Sequence, residues 1–497
     1  MIRKILTITA ITCFALPACL AEEQKQPNVI LLMADDLGYG DTGFNGNSII
    51  KTPSLDKMAI DGAVMTNFHA AAPVCSPTRG SVLTGRHPYR YGIFSANIGH
   101  LPKDEITLAE LLKSAGYATG HFGKWHLGTL SKEFSAKGKK RKIVENYSPP
   151  AFHGYDESFV TESAVATWDP SIGSRAENNP FWHNGVALSP EDPSLKGGAS
   201  RVVMDRALDF IDNSVKNNKP FFTVIWFHAP HAPVIAGPDY LALYPEHGNA
   251  AHYYGAVTEM DEQIGRLRDL LAKLDVTDNT FISFTSDNGP EGKTVKGRHA
   301  GISGELRGRK RSLYEGGVRV PTVMLYPNHI KSGQRLDNAS STLDYLPTIL
   351  AITKQTAPQD RPLDGRNLLA ELTDKKAESA EIPFYHKGKL GLIKDGYKLL
   401  INSKSFEQAE LYHLTNDVKE QSDLAATKPE LVQQMTSILK QFQQSFRVSH
   451  QGGDYSNNSS YQPVDVWPED KAKTVNVKKN KKDKKSKKES KKKISTE

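Results

Sequence analysis

Three short apolar runs set the rhythm of the chain. Asn28-Val29-Ile30-Leu31-Leu32-Met33-Ala34 and Phe221-Phe222-Thr223-Val224-Ile225-Trp226-Phe227 are hydrophobic almost without interruption, and Thr280-Phe281-Ile282-Ser283-Phe284-Thr285 sets its apolar residues among small hydroxyl side chains. Runs of this length, rich in branched and aromatic residues, predict strands covered on both faces. Between them the pattern predicts helices. Pro53 to Met58 opens with proline near the first helical position. Thr107-Leu108-Ala109-Glu110 is a capping box, Leu108, Leu111 and Leu112 keep helical spacing, and Gly116 supplies the stop. Arg201 to Ser214 is amphipathic, and a longer helix is expected from about His252 to Leu274. The fold class that follows is α/β, with a large, mixed but mostly parallel sheet flanked by helices.

Each predicted strand ends in polar residues. The first is followed by Asp35-Asp36 and the loop Gly38-Tyr39-Gly40-Asp41, the second by His228-Ala229-Pro230-His231-Ala232-Pro233, and the third by Ser286-Asp287-Asn288-Gly289. Open α/β sheets bind ligands at the carboxyl ends of their strands, so these groups are expected to share one crevice. Asp35, Asp36, Asp287 and Asn288 offer only oxygen donors, a set that selects a hard cation, Ca2+ ahead of Mg2+. In the segment from Gly116 to Gly128, an extended backbone would aim Lys124 and His126 to one side.

Other stretches lack a period. Ser131 to Lys142 is polar and lysine-rich and reads as an exposed insertion. Phe152 to Lys196 holds His153, Trp168, Asp169, Trp182, His183 and Asn184 in irregular sequence, the kind of loop that carries specificity on a rigid scaffold. From Ile382 to Leu424 short alternating strands appear, with an Asp395-Gly396 turn, and a helix is expected from about Pro429 to Phe446. These features divide the chain into a catalytic domain over 27–375, a small antiparallel α+β subdomain over 376–450, and a disordered lysine-rich tail over 451–497.

Composition adds compartment and charge. Residues 1–21 have a basic start at Arg3 and Lys4, an apolar centre from Ile5 to Leu16, and small residues at Ala18 and Ala21, which reads as an export signal. Leu16-Pro17-Ala18-Cys19 also resembles a lipoprotein box that would anchor the chain through Cys19. The protein is therefore expected in the bacterial periplasm, on the outer membrane or in the medium. The formal charge of +7 is concentrated at one end: thirteen lysines against three acids from Lys471 to Glu497 leave the remainder mildly acidic. No nucleic-acid partner is expected. Removal of the signal would leave Cys75 as the cysteine that cannot pair within the chain.

Cys75-Ser76-Pro77-Thr78-Arg79, followed by Leu83-Thr84-Gly85-Arg86, resembles the formylglycine-dependent sulfatases of the alkaline-phosphatase-like superfamily. Asp35-Asp36-Leu37-Gly38-Tyr39-Gly40-Asp41, Gly116 to Gly128, and Lys310 ahead of Tyr314-Glu315-Gly316-Gly317 are similar to further signatures of that family. The resemblance implies that a maturation enzyme oxidises Cys75 to formylglycine (3-oxoalanine), a modification that turns a thiol into a hydrated aldehyde. It further implies one Ca2+ per chain, held by Asp35, Asp36, Asp287, Asn288 and the modified Cys75, with the diol attacking sulfur in line. Arg79 and Lys124 would then orient the nucleophile, His126 would act as the base that regenerates the aldehyde, and His231 with Lys310 would bind sulfate and protonate the leaving oxygen.

Two other classes compete. One is an arylsulfatase of different substrate class, or a phosphatase or phosphodiesterase on the same scaffold; the other is a polyanion-binding protein driven by the lysine tail. The expected substrate is an O-sulfated carbohydrate from algal polysaccharides or glycosaminoglycans. Arg90, Asn97, His100, His153, Arg298 and His299 are candidates for contacts with ring hydroxyls.

Overall fold

The computed structural model describes residues 25–138, 141–173, 176–373, 379–455 and 461–471. The expected export signal, Cys19 and the lysine-rich stretch from 472 to 497 lie outside the described residues.

The main sheet contains β1 (Asn28–Ala34), β2 (Ala63–Met65), β4 (Ala118–Lys124), β5 (Glu157–Thr161), β6 (Trp182–His183), β7 (Val186–Ala187), β8 (Phe221–Trp226), β9 (Thr280–Ser286), β10 (Val323–Leu325) and β11 (Gln334–Leu336). A separate small pair joins β3 (Phe68–His69) to β12 (Ser340–Ser341). Across the main sheet the order is β11-β2-β10-β9-β1-β8-β4-β5-β6-β7. The block β9-β1-β8-β4-β5 is parallel throughout, and the antiparallel pairs lie toward the edges. The expected mixed, mostly parallel sheet is what forms.

Strand β1 shows why its run is unbroken. Val29, Leu31 and Met33 enter one core while Ile30, Leu32 and Ala34 enter the other. The first core is covered by α2 (Cys75–Thr84), α3 (Leu108–Ser114), α8 (Tyr345–Ile352) and the short α9 (Leu369–Leu372); the second by α1 (Pro53–Asp61), α4 (Ala199–Lys216) and α6 (Ala251–Lys273). Burying one such side chain contributes about 1.5–3 kcal/mol, so the central strand is held from both sides.

Helix α6 supplies caps to its neighbours. Neither α1 nor α4 has a side-chain cap of its own. Asp261 accepts from the Ser54 and Leu55 amides at 2.9 and 2.8 Å, and Glu259 accepts from the Arg201 amide at 2.8 Å. Each carboxyl thus satisfies orphan donors at a helix start. Gly198 is required beside Glu259, since an added Cβ would lie 2.2 Å from Oε1.

The C-terminal subdomain is an antiparallel sheet of β13 (Glu381–His386), β14 (Lys389–Lys394), β15 (Tyr397–Asn402) and β16 (Glu410–His413). Asp395 and Gly396 form the β14–β15 turn, both at positive φ, as that hairpin type demands. Helix α10 (Pro429–His450) packs Met435, Leu439 and Phe446 on one face. The other face meets Leu313 and Val318 of the large domain, Val318 closing the short α7 (Glu315–Val318). Buried Lys398 of β15 reaches Glu315 of α7 at 2.8 Å and Glu420 at 3.2 Å, joining the subdomain to the large domain by charge as well.

Two sequence expectations need correction. Residues beyond 450 do not leave the fold at once. Asp454 pairs with Arg86, Tyr455 donates to Glu105, and Trp467 is buried against Tyr89, Phe94 and Tyr385. An isolated tryptophan in a polar stretch has no period to reveal it. The insertion from Ser131 to Lys142 is likewise not wholly exposed, because Ser135 and Arg141 are buried.

Candidate active site

Four neighbouring parallel strands deliver most of the site. Asp35 and Asp36 follow β1, Asp287 and Asn288 follow β9, His228 and His231 follow β8, and Lys124 ends β4 with His126 two residues on. Cys75 is the first residue of α2 and is buried, its Sγ 4.0 Å from Asp36 Oδ1. Arg79, one turn later on the same helix, faces the same centre. The sequence-predicted residues Asp35, Asp36, Cys75, Arg79, Lys124, His231, Asp287, Asn288 and Lys310 are therefore brought together, and His126 stands at their margin.

Three carboxylates and three cations interlock here. Arg79 donates to Asp287 Oδ2 from Nε and Nη2 at 3.1 and 2.6 Å, and its Nη2 lies 3.5 Å from Asp35. Its guanidinium rests over the Trp226 ring. Lys124 Nζ is 2.6 Å from Asp35 Oδ2. Lys310 Nζ is 2.5 and 2.7 Å from the two oxygens of Asp36 and 3.4 Å from Glu291. Asp36 and His126 hold left-handed backbone conformations, at φ 69° and 60°, of the sort that persists where the surroundings over-determine a functional group.

Environment sets the protonation states. Burial alone would raise the Asp36 carboxyl, but Lys310, His231 and Lys124 hold it well below the usual range. Burial and the neighbouring charge of Asp35 push Asp287 up to about 6, against Arg79 and Lys124. Burial, with Asp287 adding to it, pushes the Cys75 thiol up to about 12, so the unmodified side chain is no nucleophile. His231 is pulled down to about 3 by desolvation and by Lys310 and Lys124, with Asp36 opposing. His126 is held well below its ordinary value by burial, Lys124, Lys137, Arg79 and Arg141.

The imidazoles are oriented. His231 Nδ1 donates to the Ala232 carbonyl at 2.7 Å, which leaves Nε2 toward Asp36 at 3.7 Å. His126 Nε2 donates to Asn97 Oδ1 at 2.8 Å, and its buried Nδ1 has no hydrogen-bond partner among the described residues.

The donor set fits a hard cation. Ligand atoms of Asp35, Asp36, Cys75 and His231 lie within 4.8 Å of one another. Among the described residues Asp35 Oδ1 and Asn288 Oδ1 are buried without a hydrogen bond beside the same centre, Asp35 Oδ1 having only the 3.5 Å ion-pair contact with Arg79.

Several sequence candidates do something else. Arg90 clamps Asp364 and the α10 serines Ser445 and Ser449, and His153 bonds Ser148 beneath Trp125; both are buried supports. Asp169 accepts from the Gly197 amide, Asn184 accepts from the Ser158 amide, Trp168 packs over Gly237, and Trp182 and His183 form the short strand β6 next to the edge, so these residues build the loop region rather than the crevice. Arg298 bonds the Val234 carbonyl near His231, with His299 exposed in the same turn. Asn97 proves to be the partner of His126. Sequence reasoning missed Trp226 beneath Arg79, and Glu291, which accepts two bonds from Arg311 and steadies Lys310. Their only signal was position, directly at or after a strand end.

Comparison with known proteins agrees with this geometry. The sequence model of the family described as Sulfatase matches residues 27–355, and that described as N-sulphoglucosamine sulphohydrolase, C-terminal, matches 308–447. The human N-acetylgalactosamine-6-sulfatase is 34% identical over 383 residues, covering 73% of this chain and 69% of its own. Human steryl-sulfatase is 30% identical over 435 residues, covering 73% and 72%. Among solved structures, Ps i-CgsB in complex with k-i-k-neocarrahexaose superposes with a TM-score of 0.72 at 28% identity, over 84% of this chain and 93% of that one.

Proposed function

The chain belongs to the sulfatase family and is a sulfuric ester hydrolase, and we propose that its substrates are O-sulfated carbohydrates from algal polysaccharides or glycosaminoglycans. The observation that carries the chemistry is the convergence of Cys75, three carboxylates and three cations at the carboxyl ends of adjacent parallel strands. Relatives that act on sulfated sugars support the substrate class.

As a buried thiol Cys75 cannot attack. Its conversion to formylglycine by a maturation enzyme would supply a hydrated aldehyde whose oxygen is the nucleophile. Asp35, Asp36, Asp287 and Asn288 would hold one Ca2+, which would supply charge to neutralise the sulfate. Arg79, fixed by Asp287 and by the face of Trp226, and Lys124, fixed by Asp35, orient the attacking group and hold its developing charge. Lys310 sits on the far oxygens of Asp36 and is placed to bind sulfate. His231 Nε2 faces the same centre. An arriving anion opposes the depression of its pKa and favours the protonated form that can donate to a leaving oxygen. His126, kept neutral and tethered at Nε2, presents Nδ1 as a proton acceptor.

With the apolar segment at 1–21, this reading places the enzyme outside the cytoplasm, where such polymers are met. The test is a panel of defined sulfated sugars run beside a chromogenic aryl sulfate and the matching aryl phosphate. Turnover of at least one sugar and preference for sulfate over phosphate are expected. Turnover of aryl sulfate with every sugar inert would overturn the carbohydrate reading, and preference for phosphate would overturn the reaction.

A further inference from the structure

Exposure shows where the crevice meets solvent. The side chains of Asp35, Arg79 and Lys124 are fully covered and those of Asp36 and Lys310 nearly so, whereas His231 is 23% exposed and Glu291, beside Lys310, 22%. Residues 292–299 start at Glu291 and reach across to the loop that carries His231. They hold Lys293, Lys296, Arg298 and His299 with no acid, and Lys293 to His299 are exposed. Reciprocal amide-to-carbonyl bonds between Lys296 and His299, at 3.2 and 2.9 Å, close a tight turn that presents Arg298.

The Arg298 guanidinium is fixed in place. Its Nη1 donates to the Val234 carbonyl at 2.9 Å, and its Nη2 lies 3.1 Å from His252 Nε2. That second contact is not an ordinary hydrogen bond. His252 Nδ1 accepts from the Ala236 amide at 3.2 Å, and a backbone amide can only donate, so the ring proton sits on Nε2. Burial and Arg298 hold this imidazole below its ordinary value with no carboxylate opposing, which keeps it neutral. A guanidinium has donors only. Two N–H groups, one of them charged, therefore face each other where Arg298 is exposed and His252 half-buried. Among the described residues Arg298 has no carboxylate within ion-pair distance. An oxygen that accepts from both groups relieves the conflict, and an anionic oxygen does so most strongly.

The place suits a substrate group next to the reacting one. Val234 and Ala236, which hold the pair, follow His231 by three and five residues, a span of at most about 10–18 Å even for extended chain. Tyr253, adjacent to His252, lies in the field of Asp36.

We propose that Arg298 and His252 form a second anion site on the rim of the crevice, flanked by Lys293 and Lys296. It would receive a sulfate or carboxylate of the substrate other than the scissile sulfate, on the same sugar or its neighbour. The inference rests on the carbohydrate reading above and narrows it to multiply charged sugars.

Two measurements test it. Nitrogen-15 NMR of histidine-labelled native enzyme, with the His252 signal assigned by its loss in His252→Phe, should show the Nε2–H tautomer. The Nδ1–H tautomer overturns the proposal whatever the substrate. The second measurement is the ratio of kcat/KM for doubly to singly charged substrates. Each monosulfated sugar is paired with its disulfated counterpart and with a uronate-linked disaccharide, and an aryl sulfate serves as reference. The native enzyme should prefer at least one doubly charged member, and the disulfated and uronate arms tell sulfate from carboxylate. Arg298→Met should lower that ratio roughly tenfold to a hundredfold, the worth of one charged hydrogen bond. His252→Phe should lower it too, and Arg298→Lys should keep part of what Arg298→Met loses. An unchanged ratio, including one in which both activities fall together, overturns the proposal and makes Arg298 a brace for the His231 loop. Sugars turned over without any preference for the second charge fail the proposal alone; aryl sulfate turned over with every sugar inert fails the carbohydrate reading and the proposal with it.

Discussion

Lys310 Nζ bridges both carboxylate oxygens of Asp36, at 2.5 and 2.7 Å, and the two residues reach each other from segments 274 positions apart. Asp36 gains a fixed counter-charge, and Lys310 is held at the site's centre. Lys310→Met should lower kcat/KM by roughly a hundredfold to a thousandfold, as loss of a preorganised donor to the reacting group does. It should also lower the melting temperature more in chelator than in calcium, because Asp36 is then left buried with fewer cations. Steady-state kinetics and thermal melts with and without Ca2+ check both; a native-like kcat/KM would remove Lys310 from the chemistry.

The Cys75 thiol is expected to be absent from active protein. Mass spectrometry of the peptide spanning Cys75 should show the aldehyde mass when the chain is made beside a maturation enzyme, and Cys75→Ser should lack both the aldehyde and most of the activity. Full activity in a preparation whose Cys75 is an unmodified thiol would contradict the mechanism.

Metal removal should silence the enzyme and calcium should restore it. Asp36→Asn is expected to weaken calcium binding, read by titration calorimetry, while leaving a cooperative melt. Zinc at full occupancy in active protein, measured by elemental analysis, would argue for phosphate-ester chemistry instead.

Glu259 links the fold to pH. Burial pushes this carboxyl from 4.5 up to about 7 in the folded chain, although it accepts from the Arg201 amide and from Ser200. A carboxyl raised by folding stays protonated in the fold while the unfolded chain ionises. Its contribution is therefore most favourable below about pH 4.5 and is lost as pH rises toward 7. Glu259→Gln keeps an oxygen for the helix amides without that loss, so relative to the native protein it should gain on the order of 3 kcal/mol across the window. Denaturant titrations at pH 4.5 and pH 7.5 measure it, and an equal difference at the two pH values would refute the assignment.

How much of this was legible in the sequence depended on the physics of each segment. Strands β1, β8 and β9 were visible because burial on both faces admits only apolar or small hydroxyl side chains, and the charged, amide and imidazole residues at their ends were visible because none occurs within β8 or β9 and only Asn28 within β1. Helix α3 declared itself through Thr107 and Glu110, whose reciprocal cap forms as expected. Helix α2 did not: it starts at Cys75, is buried on every side, and so has no amphipathic stripe. Strands β2, β10 and β11 are three residues each and take their conformation from neighbours. The caps given by Glu259 and Asp261 join residues distant in sequence, which no local pattern encodes.

Arg86 and Asp454 stand 368 positions apart, and Glu105 and Tyr455 stand 350 apart. A polypeptide emerging from the ribosome would own every group from Asp35 to Lys310 well before it could tie down the wall around Asn97. Val464, which contacts Gly92 and Gly99 on that wall, comes later still. Competence therefore arrives only once residues 454 to 464 have been made, and a chain stopped at 450 would carry the chemistry on an unbraced crevice.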